Sequence, residues 1–455
     1  MHFVEKGDKI KMVVKLNDLC DLKGMKKMEL LDISISGFKN IKEFKMEFGS
    51  INVLVGQNGY GKSNIIDAID FAFDFIHSPS NKRIHMMSYK SCIPILKTNA
   101  GQNFSFEIRA KTDSKQQSYY VNYGFEFSWQ TEKNPARIVS EYLNIKKGEK
   151  SQKYNKYIKR SNGEAYYRSS ETGRCDKVIK VDEFNLILSK LASFDELYYI
   201  DIINQINSMQ YFIERHLDAS PSFAPAPIVI KGFQELELQG IQSIPRAIFY
   251  LKKDYFDKYE LLINSFKQLF PDIKDIELQE FRLNEPDIKI SDDAPIMFTD
   301  SIYSMSITHD KLVQPLSFEN LSDGTKRIFL MLTFAIIADI KGLSLIAIEE
   351  PENSIHPGLL QSYIDILGQL ISSCKIIFTS HSPYIIQYIN PHNVYLGLSN
   401  NTGESEFRRI ASTKVKSLLR DASEYDESVG DYIFGILSGD DSNEYLKEYL
   451  ETNDR

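Results

Sequence analysis

Cysteine and tryptophan are scarce in this chain: four cysteines (Cys20, Cys92, Cys175, Cys374) and one tryptophan among 455 residues. The cysteines stand apart, without a CxxC pair and without histidines at ligand spacing. That excludes a disulfide scaffold and points to free thiols in a reducing, cytoplasmic setting. Long apolar runs are missing too. The longest, around Ile328 to Ile340, is broken by Thr333 and Asp339, so no membrane partner is expected. Residues 1–28 carry scattered lysines but no apolar core of a secretory leader, and read as an N-terminal extension. A net charge of −8 argues against binding nucleic acid over the whole surface and leaves room only for a local basic patch. There is no internal repeat and no long heptad run. What remains is an ordinary globular composition, 42% hydrophobic and 25% charged, long enough for two to three domains.

One segment decides the class of chemistry. Residues 56–63 read Gly-Gln-Asn-Gly-Tyr-Gly-Lys-Ser and follow the apolar strand Ile51, Val53, Leu54, Val55. Gly56, Gly59 and Gly61 let the backbone curl with its N–H groups inward, a nest for phosphate oxygens. Lys62 reaches the outer phosphates. Ser63 offers a hydroxyl to Mg²⁺ at the start of an amphipathic helix (Ile65, Ile66, Ala68, Ile69, Phe71, Ala72) whose N-terminus favours anions. Asn58 and Tyr60 within the loop, and Asn64 behind Ser63, complete the candidate nucleotide-binding set.

Around this loop the pattern divides into lobes. Residues 29–48 alternate apolar and polar side chains and read as two strands about a turn at Gly37. Phe104–Ala110, Tyr119–Trp129 and Arg137–Ile145 read as an antiparallel sheet. Residues 183–218 have helical periodicity, and 220–227 is a linker by composition. A helix at about 254–269 and strands Ile276–Leu283, Asp287–Ile290 and Ile296–Tyr303 follow. The block 316–398 alternates helix (324–340, 356–373) with strand (Ser344–Ile348, Lys375–Thr379, Val394–Leu398), which implies a parallel sheet covered by helices. The tail after 400 is polar, with one apolar cluster (Tyr432 to Leu437) expected on a packing helix.

Three further segments belong with the loop. Leu345–Ile348 is a buried strand ending in Glu349-Glu350. The first carboxylate can serve Mg²⁺, and the second can orient and deprotonate an attacking water. Strand Ile376–Phe378 leads to His381, which at that sheet edge can bond a γ-phosphate. His356, before Pro357, reads as a loop or helix-start residue. In Asn320-Leu321-Ser322-Asp323-Gly324-Thr325-Lys326-Arg327, Ser322 can cap the next helix and Gly324 leaves room for a close anion. One nucleotide does not need two phosphate sites from one subunit. Either the segment is a plain helix cap, or two copies face each other and each lends Ser322 and Gly324 to the nucleotide on the other's Lys62.

As a set, Gly56–Ser63, Leu321–Thr325, Glu349-Glu350 and His381 resemble the Walker A, signature, Walker B and switch histidine of ABC-type ATPases, in the order of the RecF, SMC and OLD branch. The resemblance covers about 31–80 and 316–398. It implies an α/β fold: an ABC-type ATPase head with a mostly parallel sheet, an antiparallel β subdomain and an inserted helical region. The expected limits are 29–182 and 311–400 for the two ATPase lobes, 183–310 for the insertion and 401–455 for the tail. ATP and Mg²⁺ are the implied cofactors, Ser63 and Glu349 the metal ligands, and Glu350 and His381 the catalytic pair. Gly37-Phe38-Lys39-Asn40 is similar to the region of that branch that approaches the base and α-phosphate, which adds Lys39 and Asn40 to the nucleotide set. Glu350-Pro351-Glu352 with His356-Pro357 resembles stand-alone bacterial AAA family ATPases. Many of these serve in anti-phage defence beside a separate effector protein, a partner expected here together with self-association. Asp323, Thr325 and Glu349 depart from the common forms, which carry glycine, glutamine and aspartate there.

No Ser/His/Asp triad, zinc-protease or HNH-like pattern is present. The chain past Leu398 is too short for the Toprim nuclease of OLD-type relatives, and Asp440-Asp441 reads as a solvated helix start. The strongest DNA signal is the run Lys146 to Arg160, with Lys147, Lys150, Lys153, Lys156 and Lys159 interleaved by Tyr154 and Tyr157. A solvated lysine-rich hairpin is the other reading of it. At the level of function, an ATP-driven dimeric switch, an ATP-clamped scaffold with negligible hydrolysis and a RecF-like repair role on DNA all stand at this point.

Overall fold

Strand Ile51–Val55 is buried on both faces, as its unbroken apolar run requires. It sits inside a six-stranded sheet whose order is Tyr211–Glu214, Leu345–Glu349, Lys375–Ser380, Ile51–Val55, Val394–Leu398, Glu406–Arg409. The first five strands are parallel and the last runs antiparallel. The computed structural model describes residues 28–451, apart from 115, 133–134, 149–151, 162, 216, 218, 220, 232–235, 237–243, 285–289, 292, 399–401 and 440–441.

Alternate side chains of this sheet enter two cores. Leu54, Leu345, Ala347 and Ile377 point to one side, toward helix Lys62–His77 and an eight-stranded antiparallel sheet. Val53, Val55, Ile346, Ile348, Ile376 and Phe378 point to the other, where helices Asp323–Lys341, Pro357–Leu370 and Phe256–Leu269 cover them. The antiparallel sheet runs Ile41–Glu47, Glu29–Phe38, Phe104–Ser114, Gln117–Ser128, Arg137–Lys147, Asn155–Ser161, Glu164–Arg168, Cys175–Val178. Phe71, Phe73 and Phe75 of helix Lys62–His77 pack on Phe104, Phe106, Phe125, Phe127 and Trp129 of that sheet. At about 1.5–3 kcal/mol per buried aromatic, this seam anchors the helix that carries the phosphate loop. Among the described residues no helix is long and apolar enough to cross a membrane.

The expected fold class, α/β with a mostly parallel sheet beside an antiparallel one, is what the chain adopts. Several local expectations are corrected. The first turn lies at Lys39-Asn40, and Gly37 stays within its strand. Gly37 takes φ +68°, and a Cβ there would fall 1.9 Å from the Asn103 carbonyl oxygen. Among the described residues of 183–218, only Ile187–Leu191 and Ile200–Asn207 are helical, and Tyr211–Glu214 is the edge strand beside Leu345–Glu349. In the stretch expected as a linker, the described residues 221–227 are anchored to the core by Phe223, which is buried with its ring 4.8 Å from that of Phe318. The strand expected at 287–290 and Asp440-Asp441 fall wholly or mostly outside the described residues.

Candidate active site

Parallel strands in register deliver their carboxyl ends to one edge. Here Glu349 is level with Thr379, and Ser380 with Val55. The phosphate loop, Glu350 and His381 therefore meet, as their places in the sequence imply. Gly59 and Gly61 take φ +84° and +98°, and only glycine accepts such values at little cost. The Lys62 side chain is buried, and its ammonium donates to the carbonyls of Gly56 at 2.6 Å and Gln57 at 3.1 Å. Burial pushes the Lys62 pKa down to about 8, opposed by the carboxylates of Glu350, Glu349 and Glu352.

His381 bridges the two halves of the edge. Its Nδ1 lies 3.3 Å from Lys62 Nζ and its Nε2 lies 3.6 Å from Glu350 Oε1. Desolvation and the Lys62 charge hold its pKa below the ordinary value, so the imidazole is neutral at neutral pH. Glu350 is bonded on all sides. Its N–H donates to Thr379 O at 2.8 Å, its carbonyl accepts from Arg327 Nη2 at 2.8 Å, and its Oε2 accepts from Asn353 Nδ2. A carboxylate presented this way can accept a proton from water.

Two expected residues hold the loop from beneath. Asn40 is 8% exposed; its Oδ1 accepts from Asn64 Nδ2 at 2.7 Å and its Nδ2 donates to Gly403 O at 3.3 Å. Lys39 pairs with Asp67 at 2.6 Å on the loop's helix. Asn58 and Gly59 are exposed at the loop tip, and the Tyr60 ring packs against Gly397. Ser63 is exposed in the first turn of its helix. Ser322 caps helix Asp323–Lys341, its Oγ accepting from Thr325 N at 3.3 Å. Gly324 has a local reason to lack a side chain: a Cβ there would lie 2.1 Å from Ser354 O. His356, read from the sequence as a loop or helix-start residue, caps helix Pro357–Leu370, its Nδ1 accepting from Gly358 N at 3.1 Å.

The donor set fits a hard divalent cation. One Glu349 oxygen, Oε1, is buried without a hydrogen-bond partner, and its carboxylate acts on the charge of Lys62, the neighbour of Ser63. One or two carboxylates completed by substrate phosphates and water is the usual environment of Mg²⁺. Among the described residues there is no cluster of three His, Cys, Asp or Glu side chains at metal-holding geometry.

Other residues at the site were assigned no role from the sequence. Glu352 accepts from Ser380 Oγ and keeps Oε2 buried without a partner, and burial raises its pKa. Ser405 lies under the loop, where its Oγ would be 2.4 Å from a Cβ on Gly61. Gln57 donates to Leu437 O at 2.6 Å, tying the loop to helix Val429–Ser438. The basic run divides. Lys153, Lys156 and Lys159 are exposed, and Lys146 lies over the rings of Tyr120 and Tyr154 at 4.9 and 5.0 Å. Arg160 is not part of that surface: it is 6% exposed and donates to Asp182 O at 3.2 Å and to Asn185 O. Tyr157 packs inward on Tyr199, and Lys150 lies outside the described residues.

No curated protein matches the chain. Similar solved structures include an SMC head bound to the C-winged helix domain of ScpA, at 14% identity over 85% of this chain and 99% of that one, with a TM-score of 0.48. The SMC head domain from Thermotoga maritima gives 13% identity over 84% and 99%, with a TM-score of 0.41. The recombination mediator protein RecF gives 12% over 85% and 99%, with a TM-score of 0.37. All three scores lie below 0.5, too low to place any residue of this chain. The sequence pattern of the AAA ATPase domain matches residues 28–386, and with most of its length covered the chain belongs to the AAA ATPase domain family.

Proposed function

We propose that the chain binds ATP at Gly56–Ser63, hydrolyses it with Glu350 as the base that activates water, and pairs with a second copy in its ATP-bound state. The observation that carries this reading is the placing of Glu350. Its carboxylate is bonded by Asn353 and stands 3.6 Å from His381 Nε2, at the sheet edge where Lys62 is buried. In this reading Lys62 and the loop amides hold the phosphates, His381 bonds the γ-phosphate and Glu350 takes the proton of the attacking water. Mg²⁺, for which Ser63 and Glu349 are the fitting ligands, neutralises charge on the phosphate oxygens when bound.

Pairing is supported by the exposed helix start at Ser322 and Asp323, an anion-favouring terminus. The motif set's resemblance to stand-alone ATPases extends the proposal to gating of a separate effector protein, in defence against phage. The exposed lysines at 153, 156 and 159 are the candidate DNA contact. A scaffold with negligible turnover is favoured by one feature, the Asp323 carboxylate at that same helix start, paired with Lys326 at 3.0 Å, because it opposes a phosphate in trans.

Phosphate release and light scattering test both readings. Glu350→Gln should retain an ATP-bound dimer, and Lys62→Ala should abolish nucleotide binding. Equal turnover by wild type and Glu350→Gln would discard the base assignment. No turnover by wild type, with ATP bound, would favour the scaffold.

A further inference from the structure

The turn after strand Leu345–Glu349 is short of glycine where its backbone asks for it. Glu350 takes φ +50° and Ser354 takes φ +66°. L side chains persist in this left-handed region only where the surroundings over-determine it. Part of that determination comes from the sheet, since Glu350 N–H donates to Thr379 O at 2.8 Å. More comes from within the turn, where Asn353 N–H donates to Glu350 O at 3.2 Å, and from helix Asp323–Lys341. Arg327 donates through Nη2 to Glu350 O at 2.8 Å and through Nη1 to Leu217 O at 3.0 Å, just past the edge strand Tyr211–Glu214. One turn earlier, Gly324 brings the helix backbone against the Ser354 carbonyl, so close that a Cβ would stand 2.1 Å from it. Both left-handed residues of the turn are thus in contact with one helix.

We propose that Arg327 is a positioning residue for hydrolysis: it fixes the Glu350 backbone so that the carboxylate aims between Asn353 and His381, and it makes that aim depend on where the start of its helix sits. The inference rests on Glu350 acting as the base. It adds a route by which pairing reaches chemistry. Ser322 and Asp323 are exposed at the helix start, whereas Arg327 one turn on is half-buried on the Glu350 carbonyl. A second copy engaging Ser322 therefore acts, through one guanidinium, on the Glu350 of the chain it touches. Arginine suits the task because its planar fork spans two carbonyl oxygens at once.

The test uses the full chain as wild type, Arg327→Ala, Arg327→Lys, Glu350→Gln and the double variant Arg327→Ala/Glu350→Gln. Affinity for a slowly hydrolysed ATP analogue should stay within about twofold of wild type, since the hydrogen bonds of Arg327 go to the Leu217 and Glu350 carbonyls and not to the phosphate loop. Turnover of Arg327→Ala should fall roughly 10–100-fold at unchanged KM, the scale of an ångström-sized misplacement of a reacting group. Arg327→Lys, which keeps one cationic donor and the aliphatic stem, should recover part of it. The double variant should be no slower than Glu350→Gln, because the two groups act as one unit. Without nucleotide, amide exchange across 350–355 should quicken in Arg327→Ala while strand Phe104–Ser114 stays protected.

Wild-type turnover in both arginine variants would overturn the proposal. So would losses that multiply in the double variant, or a loss of affinity as large as the loss of turnover. If Arg327→Ala fails to fold, Arg327→Lys decides by the same readings. Failure of the parent reading looks different: Glu350→Gln would then turn over like wild type.

Discussion

Replacing Gly324 by alanine sets two effects against each other, and the structure decides the sign. Within a helix alanine is favoured over glycine by about 1 kcal/mol, and its smaller freedom in the unfolded chain acts in the same direction. Gly324 lies in the first turn of helix Asp323–Lys341, so propensity alone predicts stabilisation. An added Cβ, however, would lie 2.1 Å from Ser354 O and 3.1 Å from its carbonyl carbon. Carbon–oxygen contacts settle at about 3.3 Å or more, so helix start and turn must part by about 1 Å. Neither yields freely, because Ser354 is in the left-handed region and the helix start is tied by the Ser322 cap and by Arg327. Overpacking of this kind costs about 1–3 kcal/mol. The net expectation is a loss of about 0–2 kcal/mol in place of a gain of about 1. The Lys326 amide, which donates to Ser322 O at 3.0 Å, reports it by hydrogen exchange in nucleotide-free protein. Exchange should quicken by up to about 30-fold, at tenfold per 1.4 kcal/mol. Exchange slowed about fivefold, with turnover intact, would refute the close approach of helix and turn.

Three further outcomes follow from burial and exposure. Arg160→Ala should cost about 1–3 kcal/mol of stability by leaving the carbonyls of Asp182 and Asn185 without their donor and by removing a charge that favours the buried Glu141 carboxylate; urea unfolding measures this. Substituting glutamine at the exposed Lys156 and Lys159 should instead leave stability alone and flatten the salt dependence of any DNA binding by about one unit per lysine. Lost DNA affinity in Arg160→Ala at unchanged stability would contradict its inward placement. For His77, burial pushes the pKa down to about 4 from 6.5, so the folded state disfavours the charged ring. The stabilisation from keeping it neutral is fully present above pH 6.5 and is lost as pH falls toward 4, by at most about 1.4 kcal/mol per pH unit. His77→Phe should remove that component, and a constant difference from wild type over this window would show that the ring is not desolvated.

The amino-acid sequence by itself determined the phosphate loop, the strand-end glutamates and the helices of the 316–398 block. Each is a contiguous pattern, written in a few adjacent residues, and the parallel register needs only the βα alternation to bring their ends together. Tertiary structure decided the rest. Tyr211–Glu214 is too short to show a strand period, and only pairing with Leu345–Glu349 makes it one. Arg160 belongs to a basic run by composition yet faces inward. A register shift lies between Leu143 and Asn144, and a one-residue slip exchanges the faces of a strand. Asn40 under Gly61, Gln57 on Leu437 and Arg327 on the Glu350 carbonyl join residues far apart in the chain. Such contacts leave no local periodicity, because they are set by how layers pack rather than by which side chains are neighbours in sequence.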